Sequence, residues 1–386
     1  MAELQGAKKR VIAFYLPQFH TIPENDLWWG KGFTEWTNTK KAKPLFEGHY
    51  QPRTPMNENY YDLSDVSVME EQAKLAKKYG LFGFCYYHYW FKNGKKLLEK
   101  PIDNMLEDAD VDIPFCLCWA NENWSRNWDG GNREILMQQD YGDETDWEQH
   151  FSYFLPFFQD KRYITYEGKP VLLIYRPELI RTFDNMVGYW QRRIKEYGFP
   201  GLIIVRQFPE AFFTSNSKND YIDFTIKFQP TFSSFSQINN YGGSLVKSIK
   251  KPLKQFITLI GLLGTVRRIK EKCLQAVETK KHLEIYDYDD TWRVILQKDK
   301  YNDRLVNGAF VDWDNTPRNK TGRAYVGATP EKFGKYMEEL LRKPTAMNSV
   351  FINAWNEWAE GAYLEPDEKY GYGYLEALKK ALDAVQ

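Results

Sequence analysis

The chain has 386 residues, 52 Lys+Arg against 52 Asp+Glu, and an apolar share of 43%. That balance excludes the global charge bias of a polyanion- or membrane-coating protein, and leaves enough apolar material for a large core. The outlying value is 17% aromatic, with 13 Trp; Trp set among Asn, Asp and Glu suits sugars, whose C–H faces stack on rings while polar groups take the hydroxyls.

The N-terminal stretch "MAELQGAKKRVIAFYL" runs from polar residues straight into a short apolar segment, unlike a signal peptide. No run reaches the ~18 apolar residues of a membrane span. Cys85, Cys116, Cys118 and Cys273 lack the spacing of a disulfide framework. These features lead us to expect a cytoplasmic protein with reduced thiols.

In chain order, short apolar runs at 10–20, 81–90, 113–122, 169–177, 201–209, 223–230, 308–318 and 349–357 read as buried strands. Helical patterns lie between them. Val66, Met69, Ala73 and Ala76 step by 3, 4, 3, as do Leu375, Leu378, Leu382 and Val385. Further helices are expected near 95–108, 145–158, 178–197 and 329–342, the last opened by Thr329 as N-cap and Pro330. Eight strands alternating with helices predict an α/β fold, a (β/α)8 TIM barrel occupying 1–386 as one domain.

Residues 233–300 break the rhythm, with no clear strand. Within them 247–281 holds ten Lys/Arg against two Glu around the apolar "FITLIGLLGTV". We read this as a mainly helical insertion between strands 6 and 7; the alternative is a peripheral membrane or lipid-linked glycan contact. "YDYDD" (286–290) reads as a solvated loop.

Nearly every strand ends in polar chemistry, and in a barrel those ends meet on one face. "AWNEWAEG" (354–361) is the leading motif. A straight strand would send Glu357 and Glu360 to opposite faces, whereas a tight turn brings i and i+3 to within ~5–6 Å. Two carboxyls ~5–5.5 Å apart is the arrangement of a retaining glycosidase. Trp355 and Trp358 are expected to supply low dielectric and stacking surface. "WANENW" (119–124) repeats the Asn-Glu pairing with Asn121 and Glu122 between Trp119 and Trp124; Glu122 is also an alternative second carboxylate. Trp28, Trp29 and Trp36 in "WWGKGFTEW" read as a substrate platform. His88, Arg176, Asp312, Trp313, Asp314 and Asn356 complete the expected groove. Five scattered His and no H-x-x-x-H or C-x-x-C pair point to no metal or cofactor, and no nucleic-acid module is visible.

The stretches "VIAFYLPQFHTIPENDLWWGKGFTEWTN", "YGLFGFCYYHYWF", "PFCLCWANENWSRNWDG", "GKPVLLIYRP", "DWDNTPR" and "FINAWNEWAEGAYLEPDEKYGYGYLEAL" resemble the WbsX-type family of bacterial polysaccharide gene clusters. That family is related to glycoside hydrolase family 99, the endo-α-1,2-mannosidases and mannanases, which are (β/α)8 barrels. The resemblance implies that Glu357 draws the proton from a sugar 2-hydroxyl, so that its oxygen attacks C1 and forms a 1,2-anhydro sugar. It gives Glu360 the acid/base role, with retention at C1. "WANENW" has no counterpart placed in the mannosidases, so the sugar is not implied. The expected activity is glycoside hydrolysis of a bacterial surface or capsular polysaccharide or its precursor. Glycosyl transfer or transglycosylation in O-antigen or capsule assembly is the second reading, and an inactive glycan-binding barrel the third.

Overall fold

The computed structural model describes residues 8–126, 134–207, 220–233, 283–297, 302–319 and 321–385. Eight parallel strands close into a barrel: β1 Arg10–Tyr15, β2 Gly83–Trp90, β3 Phe115–Trp119, β4 Lys169–Ile174, β5 Ile203–Arg206, β6 Phe224–Ile226, β7 Leu305–Phe310 and β8 Ser349–Asn353. Each pairs with the next, and β1 closes the ring on β8, with Arg10 opposite Ser349 and Ala13 opposite Ile352. Their runs are apolar on both faces because side chains alternate between the barrel interior and the helix layer. Glycine is required where backbones crowd: a Cβ on Gly308 would stand 2.1 Å from the Lys227 carbonyl oxygen.

Two short helices, α1 Pro23–Trp29 and α2 Glu35–Lys41, sit in the loop that leaves β1. The outer layer holds α3 Val66–Lys78, α4 Lys100–Glu107, α5 Glu144–Gln159, α6 Phe183–Glu196, α7 Tyr288–Ile295, α8 Pro330–Leu341 and α9 Gly373–Asp383. The stepped residues do what their spacing requires, with Met69, Ala73 and Ala76 buried on α3 and Leu375, Leu378 and Leu382 on α9. Thr329 caps α8, its hydroxyl accepting from the Lys332 N–H.

The basic stretch 247–281, with the readings offered for it, lies outside the described residues. The end of the same interval differs from expectation. Glu284–Asp287 is a strand paired in parallel with Arg323–Val326, and α7 follows at once. "YDYDD" is therefore a strand-to-helix junction: Tyr288 is fully buried with its hydroxyl on the Val311 carbonyl, and Asp287 caps α7. The acidic residues hid this, and the pairing partner lies almost forty residues away. No helix among the described residues is long and apolar enough to cross a membrane.

Candidate active site

Past β8 the chain makes a tight reversal. Asn356–Glu357 pairs antiparallel with Ala362–Tyr363 around a 3₁₀ turn, Trp358–Glu360, and Gly361 (φ 63°) closes it in the left-handed region. A side chain there would be strained, and its Cβ would meet Arg53 Cζ at 3.0 Å. This turn carries Glu357 and Glu360 to one side.

Arg318, on the loop after β7, joins them. Its Nη1 bonds Glu360 Oε1, its Nη2 lies 3.4 Å from Glu357 Oε2, and its Nε is 2.9 Å from Glu35 Oε1 on α2. Trp313 Nε1 donates to the second Glu360 oxygen at 3.1 Å. One guanidinium thus holds three carboxylates from two segments, α2 and the turn after β8. Burial opposes the charge on Arg318, but Glu35, Glu360 and Glu357 outweigh it and keep the group firmly protonated. Burial, reinforced by the charge of Glu360, raises the Glu357 carboxyl to about 8. Burial likewise raises Glu35, with Arg318 opposing. At about 8, the Glu357 carboxyl keeps its proton near neutrality in the free protein, and its coupling to Glu360 makes this a property of the pair.

Both Glu357 and Glu360 face a cleft of about 700 Å³, within the usual range for ligand sites. Of the residues expected on the groove, Glu122, Trp124 and Arg176 line it with them, and Glu122 and Arg176 form an ion pair at 2.9 Å. Trp29 also lines the cleft, while Trp28 packs edge-on against Trp124.

The remaining expected groove residues sit behind its wall. Trp36 is buried, its indole N–H on the Tyr61 carbonyl. His88 points away from the barrel interior and meets His150 of α5, Nε2 to Nε2 at 2.9 Å; burial lowers its pKa to about 3, so it is neutral. Trp119 packs beside the same His150 and donates to the Trp90 carbonyl. Asn121 clamps the Arg176 backbone with both ends of its amide. Asn356 does the same to Leu16, fixing the reversal that carries Glu357 and Glu360 to the end of β1. Asp312 pairs with buried Arg53 at 2.8 Å. Asp314 accepts from His49 and Gln51, each at 2.7 Å; these donors and Arg53 overcome its burial and hold it down to about 2. Its backbone N–H donates to the Glu360 carbonyl at 2.6 Å, so it braces the turn. Trp355 and Trp358 are fully buried and supply dielectric rather than a stacking face.

Sequence reasoning passed over Arg318, although it ends the quoted "DWDNTPR", and gave no role to Glu35. Neither carries a local signal, because their chemistry depends on where three distant segments converge.

Residues 11–378 match the family described as Glycosyltransferase WbsX. The chain belongs to the WbsX glycosyltransferase family. That family is one of carbohydrate-active enzymes. The WbsX-family chain is also 36% identical over 378 residues to the protein WxcX of Xanthomonas campestris pv. campestris strain B100, and equally to that of a second strain. The match covers 96% of this chain and 49% of WxcX, so the chain spans about half the length of the curated relatives it matches. Among solved structures it is similar to a glycoside hydrolase-like protein (TM-score 0.55, 13% identity, 98% of this chain and 94% of that one). It is also similar to the GH99 endo-alpha-mannosidase from Bacteroides thetaiotaomicron (TM-score 0.54, 12% identity, 97% and 96%). At such identities the likeness concerns the fold, and the WbsX-family chain shares the barrel of both.

Proposed function

We propose that the chain cleaves a glycosidic bond with retention of configuration, with Glu357 and Glu360 as its acid–base pair. The substrate we propose is a bacterial surface or capsular polysaccharide or its precursor, met in the cytoplasm, a setting that suits the free thiols of Cys85, Cys116 and Cys118. The observation that carries this reading is the Arg318 fork, which turns both carboxylates toward one cleft. Glycoside chemistry needs one protonated and one ionised carboxyl, and burial beside a like charge favours that mixture.

In this mechanism Glu357 takes the proton of the sugar 2-hydroxyl, O2 attacks C1, and Glu360 protonates the departing oxygen as its bond to C1 breaks. The product is a 1,2-anhydro sugar. Glu360 then takes a proton from water, the water oxygen opens the ring at C1, and O2 recovers its proton from Glu357. Two inversions give net retention. The high proton affinity of Glu357 suits abstraction from a weakly acidic hydroxyl. The reaction begins with the shared proton on Glu360, and Arg318, bonded to both groups, pairs whichever is ionised.

Transfer of the sugar to an acceptor hydroxyl in place of water is the second reading, favoured by the family description as a glycosyltransferase. The test is incubation with bacterial polysaccharides and α-linked aryl glycosides, with Glu360→Gln alongside. Sugar release that the variant loses supports hydrolysis. No release, with saturable binding of a nucleotide sugar, would replace it with transfer.

A further inference from the structure

Beside the Glu pair, one wall of the cleft is built from α2 and the end of β1. Thr37, Asn38 and Lys41 line it, spaced three and four apart so that they share a helix face, and Gln18 joins them. The Gln18 carbonyl accepts from the Glu35 N–H at 3.0 Å, which fixes the two segments together. Gln18 and Asn38 are only 5% and 7% exposed, yet their side-chain amides make no hydrogen bond among the described residues. Both residues line the cleft, so these amides are open to a ligand that enters it.

Lys41 completes the wall with a cation. Among the described residues the other two cations on the cleft are already engaged, Arg318 by three carboxylates and Arg176 by Glu122 and Glu178. Lys41 has no ion-pair partner among the described residues, and its charge is felt at Glu35.

We propose that this wall is a subsite for an acidic sugar, a hexuronic acid residue whose carboxylate pairs with Lys41 and accepts from the amides of Asn38 and Gln18. A neutral sugar would satisfy the amides but leave the exposed ammonium of Lys41 without a partner. A carboxylate also needs such a cation to approach the negative Glu pair. This inference rests on the proposed function only in taking the cleft as a sugar site.

The test uses Glu360→Gln protein, so that nothing is consumed, and reads tryptophan fluorescence from Trp29 and Trp124 on the cleft. The ligands are hyaluronan, heparosan and alginate oligosaccharides, each compared with its carboxyl-reduced neutral form. In at least one pair the acidic member is expected to bind ~10-fold more tightly at low salt, in line with a charge-assisted hydrogen bond. The preference should fade with added salt and vanish in Lys41→Met but persist in Lys40→Met. Equal or tighter binding of the neutral forms, a preference that survives Lys41→Met, or no binding by either member of any pair overturns the proposal. Wild-type turnover of neutral glycosides without an acidic preference would remove the subsite and leave the glycosidase. Acidic preference without any turnover would do the reverse.

Discussion

Arg318 Nε lies 2.9 Å from Oε1 of Glu35, a carboxylate that solvent does not reach. The other Glu35 oxygen has no hydrogen-bond partner. Glu35 therefore serves as the anchor that points the two terminal nitrogens of Arg318 at Glu357 and Glu360, and the charges in this cluster depend on one another.

Removing the guanidinium leaves buried carboxylates without their counter-ion. Arg318→Met is expected to cost on the order of 3–5 kcal/mol, as when one partner of a buried pair is lost. Denaturant unfolding gives the number, and a variant as stable as wild type would show that the three carboxylates do not depend on Arg318.

Glu360→Gln should lose at least ~100-fold in rate, the lower end for a positioned acid/base. It also removes the like charge that helps raise Glu357, so the Glu357 pKa should drop toward the ordinary carboxylate range. Carboxyl-stretch infrared difference spectra against pH report this directly; an unmoved titration would mean that the two groups are not electrostatically coupled.

Glu357 acts as a base only when ionised. The last proton of the pair leaves at about 8 in the free protein, and the reaction needs that proton on Glu360, so kcat/KM should fall as pH rises through that value. The Glu357 carboxyl is coupled to Glu360, so the limb belongs to the pair. A rate that stays level or climbs through that value would show that the shared proton is not used.

Stability should move the same way. Glu365 is buried behind the turn and raised to about 7, chiefly by burial, although Trp358, Tyr61 and Gln72 donate to it. A carboxyl whose folded pKa is raised binds more protons folded than unfolded. Its contribution is complete below the unfolded value near 4.5 and is lost as pH rises through about 7. The stability at stake is on the order of 3 kcal/mol. Melting temperature should therefore fall between pH 5 and 8, with Glu357 adding to the slope, and Glu365→Gln should flatten it.

Asp312 distinguishes a structural role from a substrate-binding one. Asp312→Asn leaves Arg53 buried without its ion-pair partner at 2.8 Å and should destabilise by about 3–5 kcal/mol. KM in the folded fraction should change less than twofold, roughly the scatter for groups outside the contact surface. A large rise in KM at unchanged stability would instead put Asp312 on the substrate.

The amino-acid sequence by itself determined the barrel, because eight apolar runs separated by stepped helical residues have few other ways to cover both faces of each strand. It also determined that Glu357 and Glu360 lie on one tight turn, since "AWNEWAEG" ends in the glycine that such a reversal requires. Which aromatic and polar residues face the cleft was decided by tertiary structure alone. Along β2, Tyr87 and Tyr89 point inward to the cleft, while His88, one position apart, points to α5. A one-residue step reverses the face, and the polar or aromatic character of a residue does not reveal which face it takes. The pairing of Asn121 with Arg176, of Asn356 with Leu16 and of Arg318 with Glu35 joins segments 55, 340 and 283 residues apart. Such contacts exist only once the barrel closes, because chain closure, not local pattern, brings those strand ends to the same rim.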